Sequence, residues 1–195
     1  VSTLKSRNVP LGTSGDRTVD HDVTVYDPRD VFGEGGALAA SGAEIRCPTF
    51  FMKPEDSTPE IEEMKETIKA ADAYVIVTAE YNHTLPPALS GLMGHFGGSL
   101  FAHKASAIVT YSPSPFSGMR VAVALRPFLA ELGCLSVSKL CGFPAPTDLF
   151  NEDGTPKDPE ARMLKQLPAM LSQLEWTSAA FKDMREKFGP SAQTT

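Results

Sequence analysis

Apolar and polar positions along the chain change period several times, and each change marks an element. His21 to Asp27 alternates apolar with polar, as a half-buried strand does, and ends in Asp-Pro, a turn signal. Residues 32–48 are rich in Gly and Ala without a clear period, which predicts a long loop with room for a helical turn at Ala37–Ala40. Ser57-Thr-Pro-Glu60 is a helix start: Ser57 or Thr58 can cap, Pro59 suits the first helical position, and acids fill the first turn. Ile61, Met64, Ile68 and Ala71 then recur at helical spacing. The continuous apolar run Tyr74 to Thr78 predicts a central parallel strand covered on both faces. After a polar loop, Pro86-Pro87 opens a helix reaching about Phe96.

A second short apolar strand is predicted over Lys104–Tyr111, followed by the turn-forming Ser112–Gly118. A helix from Gly118 to Leu132 presents Val121, Leu125, Phe128, Leu129 and Leu132 as one stripe, and Gly133 stops it with a left-handed cap. Cys134–Ser138 is the next strand. The tail from Asp158 to Lys187 reads as one amphipathic helix or two, with Pro168 at a kink or break. Strands alternating with helices predict a parallel, doubly wound α/β sheet.

Bulk properties narrow the function classes. At 195 residues the chain suits one domain, residues 1–195, with 158–195 as a C-terminal helical tail. A net charge of -6 argues against a nucleic-acid binder and against a polybasic membrane-surface role. Apolar stretches fall far short of the ~20 residues needed to span a bilayer. The start shows no signal-peptide pattern, and a chain beginning at Val1 is expected to have lost an initiator Met or more. Cys47, Cys134 and Cys141 are scattered without C-x-x-C spacing, which predicts reduced thiols, a cytoplasmic location and no zinc site.

The chemistry-bearing stretch is Ala79-Glu-Tyr-Asn-His-Thr84, a polar loop between a strand and a helix. Ligands of open α/β sheets sit in the crevice beyond the carboxyl ends of the strands. This loop resembles the flavin-contacting Pro-Glu-Tyr-Asn loop of the NADPH-dependent FMN reductase family, the flavodoxin-like flavin, quinone, azo and chromate reductases. Ala79 stands where that family has Pro, and Ser90-Gly91 where it has Lys-Asn. Phe116-Ser-Gly-Met-Arg120 resembles the family's Gly-Gly loop, with Ser117 in place of the first Gly. The resemblance runs from about Val23 to Asn151–Gly154.

That resemblance implies a flavodoxin-like fold and FMN held by three loops. Ala79, Glu80, Tyr81, Asn82, His83 and Thr84 form one; Ser112, Pro113, Ser114, Phe116, Ser117 and Gly118 form another. Free N–H groups at the helix start by Gly118 would stabilise reduced flavin, and Gly118 would let backbone approach the ring. Ser2, Thr3, Lys5, Ser6 and Arg7 resemble the phosphate-binding loop and supply hydroxyls and cations. About a dozen residues separate Asn8 from Val23, and Pro10, Gly12 and Gly15 make them poor helix material, so the first strand–helix unit is shortened or remodelled. The flavin carries the chemistry, so no catalytic side chain and no metal are expected.

Each candidate also has a plainer role. Glu80 is a general base or a hydrogen-bonded loop residue; Tyr81 stacks on the ring or packs. Asn82 fixes the turn and offers its amide, and His83 faces ligand or solvent. Arg120 neutralises phosphate or holds a helix by ion pairs. His95 and His103 read as surface, Phe50-Phe51 as a core edge or substrate mouth, and Asp148–Gly154 as a solvated turn. Leu89, Leu92, Met93 and Phe96 give the helix after Pro87 an apolar side. The resemblance implies a homodimer or tetramer through that helix, with Gly91 and Gly94 permitting close approach. The expected activity is NAD(P)H oxidation through FMN to a quinone, free flavin or similar small acceptor. The alternatives are a flavodoxin-like interaction or regulatory module with weak or lost flavin binding, and a flavodoxin-type electron carrier.

Overall fold

The computed structural model describes residues 2–13, 17–39 and 48–191. Along the chain run α1 (Ser2–Lys5), β1 (Val9–Pro10), β2 (Thr18–Val19), α2 (Pro28–Phe32), α3 (Pro59–Ala70), β3 (Ala73–Ala79), α4 (Pro87–Gly94), α5 (Gly98–Phe101), β4 (Lys104–Ser112), α6 (Met119–Glu131), β5 (Cys134–Pro144), α7 (Pro146–Leu149) and α8 (Leu167–Phe188). They form two compact units, Val1–Ala71 with Ala88–Leu100, and Asp72–Pro87 with Phe101–Thr195. Among the described residues no helix is long and apolar enough to cross a membrane.

In the first unit α3 begins where its punctuation predicts. Thr58 caps it by accepting the Ile61 N–H at 3.3 Å, Pro59 is at its start, and Ile61, Met64 and Ile68 are buried. Leu92, Met93 and Phe96 are buried within the chain itself, so the apolar side of this helical segment serves its own core. The helix stops at Gly94, two residues earlier than expected. Ala37–Ala39 form the expected turn, closed by Ala39 N–H to Gly36 O at 3.1 Å; Ala40 lies outside the described residues.

One expectation for this unit is corrected. His21–Asp27 forms no ladder among the described residues, because its Asp-Pro end is used differently. Asp27 caps α2, accepting the Arg29 N–H at 2.8 Å, and Pro28 is the first helical residue. The N-terminal segment is remodelled, as the short spacing before Val23 predicts. Ser2–Lys5 is helical, and Val9–Pro10 pairs antiparallel with Thr18–Val19.

The second unit holds a parallel three-stranded sheet in the order β3-β4-β5. Its centre is β4, not β3. Ala105, Ala107 and Val109 on one face and Ser106, Ile108 and Thr110 on the other are all buried, as flanking helices on both sides require. Among the described residues β3 lies at an edge, and Val77 is 61% exposed. Its apolar run resembled a central strand because sequence does not record how many ladder neighbours a strand has. α6 and α8 pack on β4 and β5. Val121, Ala122, Leu125 and Leu129 form the buried stripe of α6, each aliphatic side chain of Leu size contributing about 1.5–3 kcal/mol. Gly133 stops it at φ 72°.

β5 runs six residues beyond Ser138, to Pro144, and Pro168 marks the start of α8 rather than a kink within a helix. Lys182 and Arg185 of α8 bind Asp72 at 2.7 and 2.8 Å, fastening the helix beside the start of β3. Burial pushes the Cys134 and Cys141 thiols each up to about 11. Both are therefore expected to resist a disulfide reagent at pH 8 in the folded chain and to react after denaturation. Rapid native labelling of either, located by peptide mass, would contradict this packing. Cys47 lies outside the described residues.

Candidate flavin site

The carboxyl ends of the three parallel strands bring two of the predicted loops together. Ala79 is in register with Tyr111, and Ser112 with Pro144, so the chain leaves β3 and β4 side by side. The Glu80 N–H donates to Tyr111 O at 3.3 Å, continuing the ladder into the loop.

Tyr81 and Thr84 exchange two backbone hydrogen bonds, Thr84 N–H to Tyr81 O at 2.8 Å and Tyr81 N–H to Thr84 O at 3.1 Å. The two residues between them, Asn82 and His83, have φ of 48° and 65°. Left-handed conformation at both central positions is the type I′ pattern, which Asn tolerates better than most residues. Asn82 thus does fix the turn, as its residue type predicts. The N–H groups of Asn82 and His83 have no partner among the described residues, and Tyr81 is 57% exposed.

The second loop is tied by its serines. Ser112 Oγ accepts the Ser114 N–H at 3.2 Å, Ser114 Oγ accepts the Phe116 N–H at 3.4 Å, and Ser114 O accepts the Ser117 N–H at 3.3 Å. Thr110 Oγ1, wholly buried, donates to Ser117 O at 2.7 Å. Ser117 and Gly118 follow one another at φ 58° and 72°. The family's Gly at the first of these positions is explained by that dihedral, which Ser117 adopts at a backbone cost of roughly 1–2 kcal/mol. Gly118 answers first to the chain itself: a Cβ there would stand 3.0 Å from Tyr111 O and 3.2 Å from Thr110 Cβ. No ligand is needed to explain the glycine.

Glu80 joins the two loops. Its side chain, only 4% exposed, accepts from Arg120 through Nε at 2.7 Å, Nη2 at 2.6 Å and the backbone N–H at 3.1 Å. Arg120 hydrogen bonds, its charge and the backbone N–H groups of Arg120 and Val121 hold the Glu80 carboxyl below the usual carboxylate range, against its burial. The first-turn amides of α6, expected to face a flavin carbonyl, are thus largely occupied by Glu80. Of that segment, Gly118 N–H has no partner among the described residues, while Met119 N–H donates to Phe116 O at 3.0 Å. Arg120 takes the ion-pairing role, and its guanidinium also stands 5.2 Å from the Phe116 ring centroid.

The third predicted loop lies in the N-terminal segment. Ser2, Thr3 and Lys5 lie in α1, Ser6 and Arg7 just after it, and Arg7 N–H donates to Leu4 O at 2.9 Å; all belong to the first unit. Sequence reasoning also missed Thr110, Gly142 and Ala145. Gly142 was legible as a glycine inside a strand, the usual mark of close backbone approach. A Cβ there would stand 2.8 Å from Ser117 Cβ. Ala145, at φ 39°, donates its N–H to Ser112 O at 2.8 Å and leads into α7.

The sequence model of the NADPH-dependent FMN reductase family matches residues 13–146, more than half of the chain. The chain belongs to this family. FMN and NAD(P)H are the family's cofactors. A search of curated proteins returns no match. Among solved structures, an oxidoreductase from Corynebacterium diphtheriae is 16% identical, with 64% of this chain and 63% of that one covered and a TM-score of 0.49. FerB, a flavoenzyme NAD(P)H:(acceptor) oxidoreductase from Paracoccus denitrificans, is 20% identical over 74% of this chain and 75% of its own, with a TM-score of 0.48. The apo form of the NADH:FMN oxidoreductase EMOB is 18% identical over 80% of each chain, with a TM-score of 0.45. No activity is carried over from likenesses this distant.

The residues at the sheet tips fit a flavin. The N–H groups of Asn82, His83 and Gly118, unpartnered among the described residues, match the carbonyl and nitrogen edge of such a ring, and exposed Tyr81 and Phe116 offer flat apolar faces.

Proposed function

We propose that the loops Ala79–Thr84 and Ser112–Gly118 hold FMN, and that the chain oxidises NAD(P)H and reduces a quinone, free flavin or similar small acceptor. The observation that carries this reading is the pair of neighbouring turns, each pinned in left-handed backbone and joined through Glu80 and Arg120. Bound FMN supplies the redox chemistry, accepting hydride from nicotinamide and passing electrons to the acceptor. The protein binds the ring edge through the amides of Asn82, His83 and Gly118, and orients it between rigid turns. Ser112, Pro113 and Ser114 complete the second turn. Orientation of this kind lowers a barrier by up to ~7–11 kcal/mol when fully realised. The reading extends to Ser2, Thr3, Lys5, Ser6 and Arg7 as phosphate contacts, to a cytoplasmic location, and to a homodimer or tetramer. Gly94 supports close approach of a second copy, since among the described residues nothing beyond its chain neighbours and its own helix backbone lies within 4 Å of the place a Cβ would take.

A yellow protein that retains FMN through gel filtration and oxidises NADPH with benzoquinone is the expected result. A colourless chain that neither takes up added FMN nor oxidises NADPH defeats the proposal. One observation favours a second reading: the N-terminal segment folds as α1 and a small antiparallel ladder. A flavodoxin-like interaction module with weak flavin affinity follows if FMN exchanges freely and NADPH oxidation is absent.

A further inference from the structure

The Glu80–Arg120 contact places opposite charges at the junction of the two loops. Glu80 is enclosed, while the Arg120 side chain is 41% exposed and reaches over Phe116. The N-terminal end of α6, equivalent to roughly half a positive charge, lies under the same carboxylate. We propose that Glu80 and Arg120 tune the reduction potential of a flavin held between these loops, Glu80 lowering it and Arg120 raising it.

The inference rests on the reading that these loops bind FMN. Hydride acceptance adds two electrons and one proton to the ring, so its charge becomes more negative by one. A fixed charge nearby therefore interacts differently with the oxidised and reduced forms. In the intact pair the carboxylate cancels the guanidinium and covers the helix end. Glu80→Gln keeps the shape and leaves Arg120 and the α6 amides uncompensated, which favours the more negative form. Arg120→Gln leaves a bare carboxylate and does the reverse. A pair that merely held the loops in place would give no such opposition, because breaking it from either side loosens both redox forms alike.

The test is the midpoint potential of FMN-loaded wild type, Glu80→Gln, Arg120→Gln and the double variant, by dithionite titration against a reference dye. Glu80→Gln is expected to favour reduced over oxidised flavin about tenfold, a rise of about 30 mV for a two-electron couple, and Arg120→Gln to produce a fall of similar size. The double variant should return near the wild-type value, although its flavin-free form melts lower. Shifts of the same sign, or weakened FMN affinity with unchanged potentials, overturn the tuning role alone. A wild-type chain that takes up no FMN overturns the tuning role together with the reading beneath it.

Discussion

Gly142→Ala is expected to destabilise the chain by about 1–3 kcal/mol, the usual range for overpacking a close-packed interior. For a chain of this size the melting temperature should fall by about 2–4 °C per kcal/mol. Gly142 sits inside β5, opposite Thr110 of the central strand. An added Cβ would stand 2.8 Å from Ser117 Cβ, 3.2 Å from Ser117 O and 3.2 Å from Met119 Sδ. The methionine can swing away, but Ser117 cannot, because Thr110 Oγ1 holds its carbonyl at 2.7 Å. The strain therefore displaces the whole Ser112–Gly118 turn, and FMN affinity should fall with stability. Ser117→Gly removes the nearest clashing atom and relieves a left-handed non-glycine, so by itself it should raise the melting temperature. Combined with Gly142→Ala it should restore more stability than the two separate effects sum to, the signature of residues in contact. A Gly142→Ala melt matching wild type, or a double variant no better than additive, would show that the turn does not press on β5.

Gly118→Ala should be of comparable severity for two separable reasons. Left-handed backbone at φ 72° costs an alanine roughly 1–2 kcal/mol. The new Cβ also meets Tyr111 O at 3.0 Å, a carbonyl already accepting the Glu80 N–H. Backbone on both sides of that contact leaves no flexible end to yield. Gly154→Ala provides the control, since its φ is 81° but among the described residues nothing beyond its chain neighbours lies within 4 Å of its added Cβ. The difference between the two melts isolates the crowding at Tyr111. Weaker FMN binding should accompany Gly118→Ala and not Gly154→Ala, measured as the dissociation constant from flavin fluorescence. Equal melts for the two variants would mean the Tyr111 contact is soft.

The local backbone of the two loops was legible in the sequence. Asn82 marked a turn because short polar side chains tolerate left-handed backbone, and the observed φ angles are of that kind. Thr58-Pro59 and Gly133 bounded helices because capping and φ preferences act over a few residues. The misreadings share one cause. His21–Asp27 alternates like a strand, yet its end is consumed as a helix cap, and β3 is largely apolar, yet lies at an edge among the described residues. In each the local pattern was read correctly and the partner was not in the pattern. Glu80 and Arg120 stand 40 positions apart. Nothing in their spacing announces that one closes the helix end of the other.

From its residues alone this chain declared a strand–helix alternation, its helix starts and stops, and a polar loop of flavin-reductase type, all consequences of periodicity and of dihedral preferences acting within a few positions. Tertiary structure decided which strand is central, that Glu80 rather than open amides fills the start of α6, and that Ser2–Lys5 is a helical turn. Those outcomes depend on which distant groups meet, and burial makes an unpaired charge or amide too costly to leave to chance.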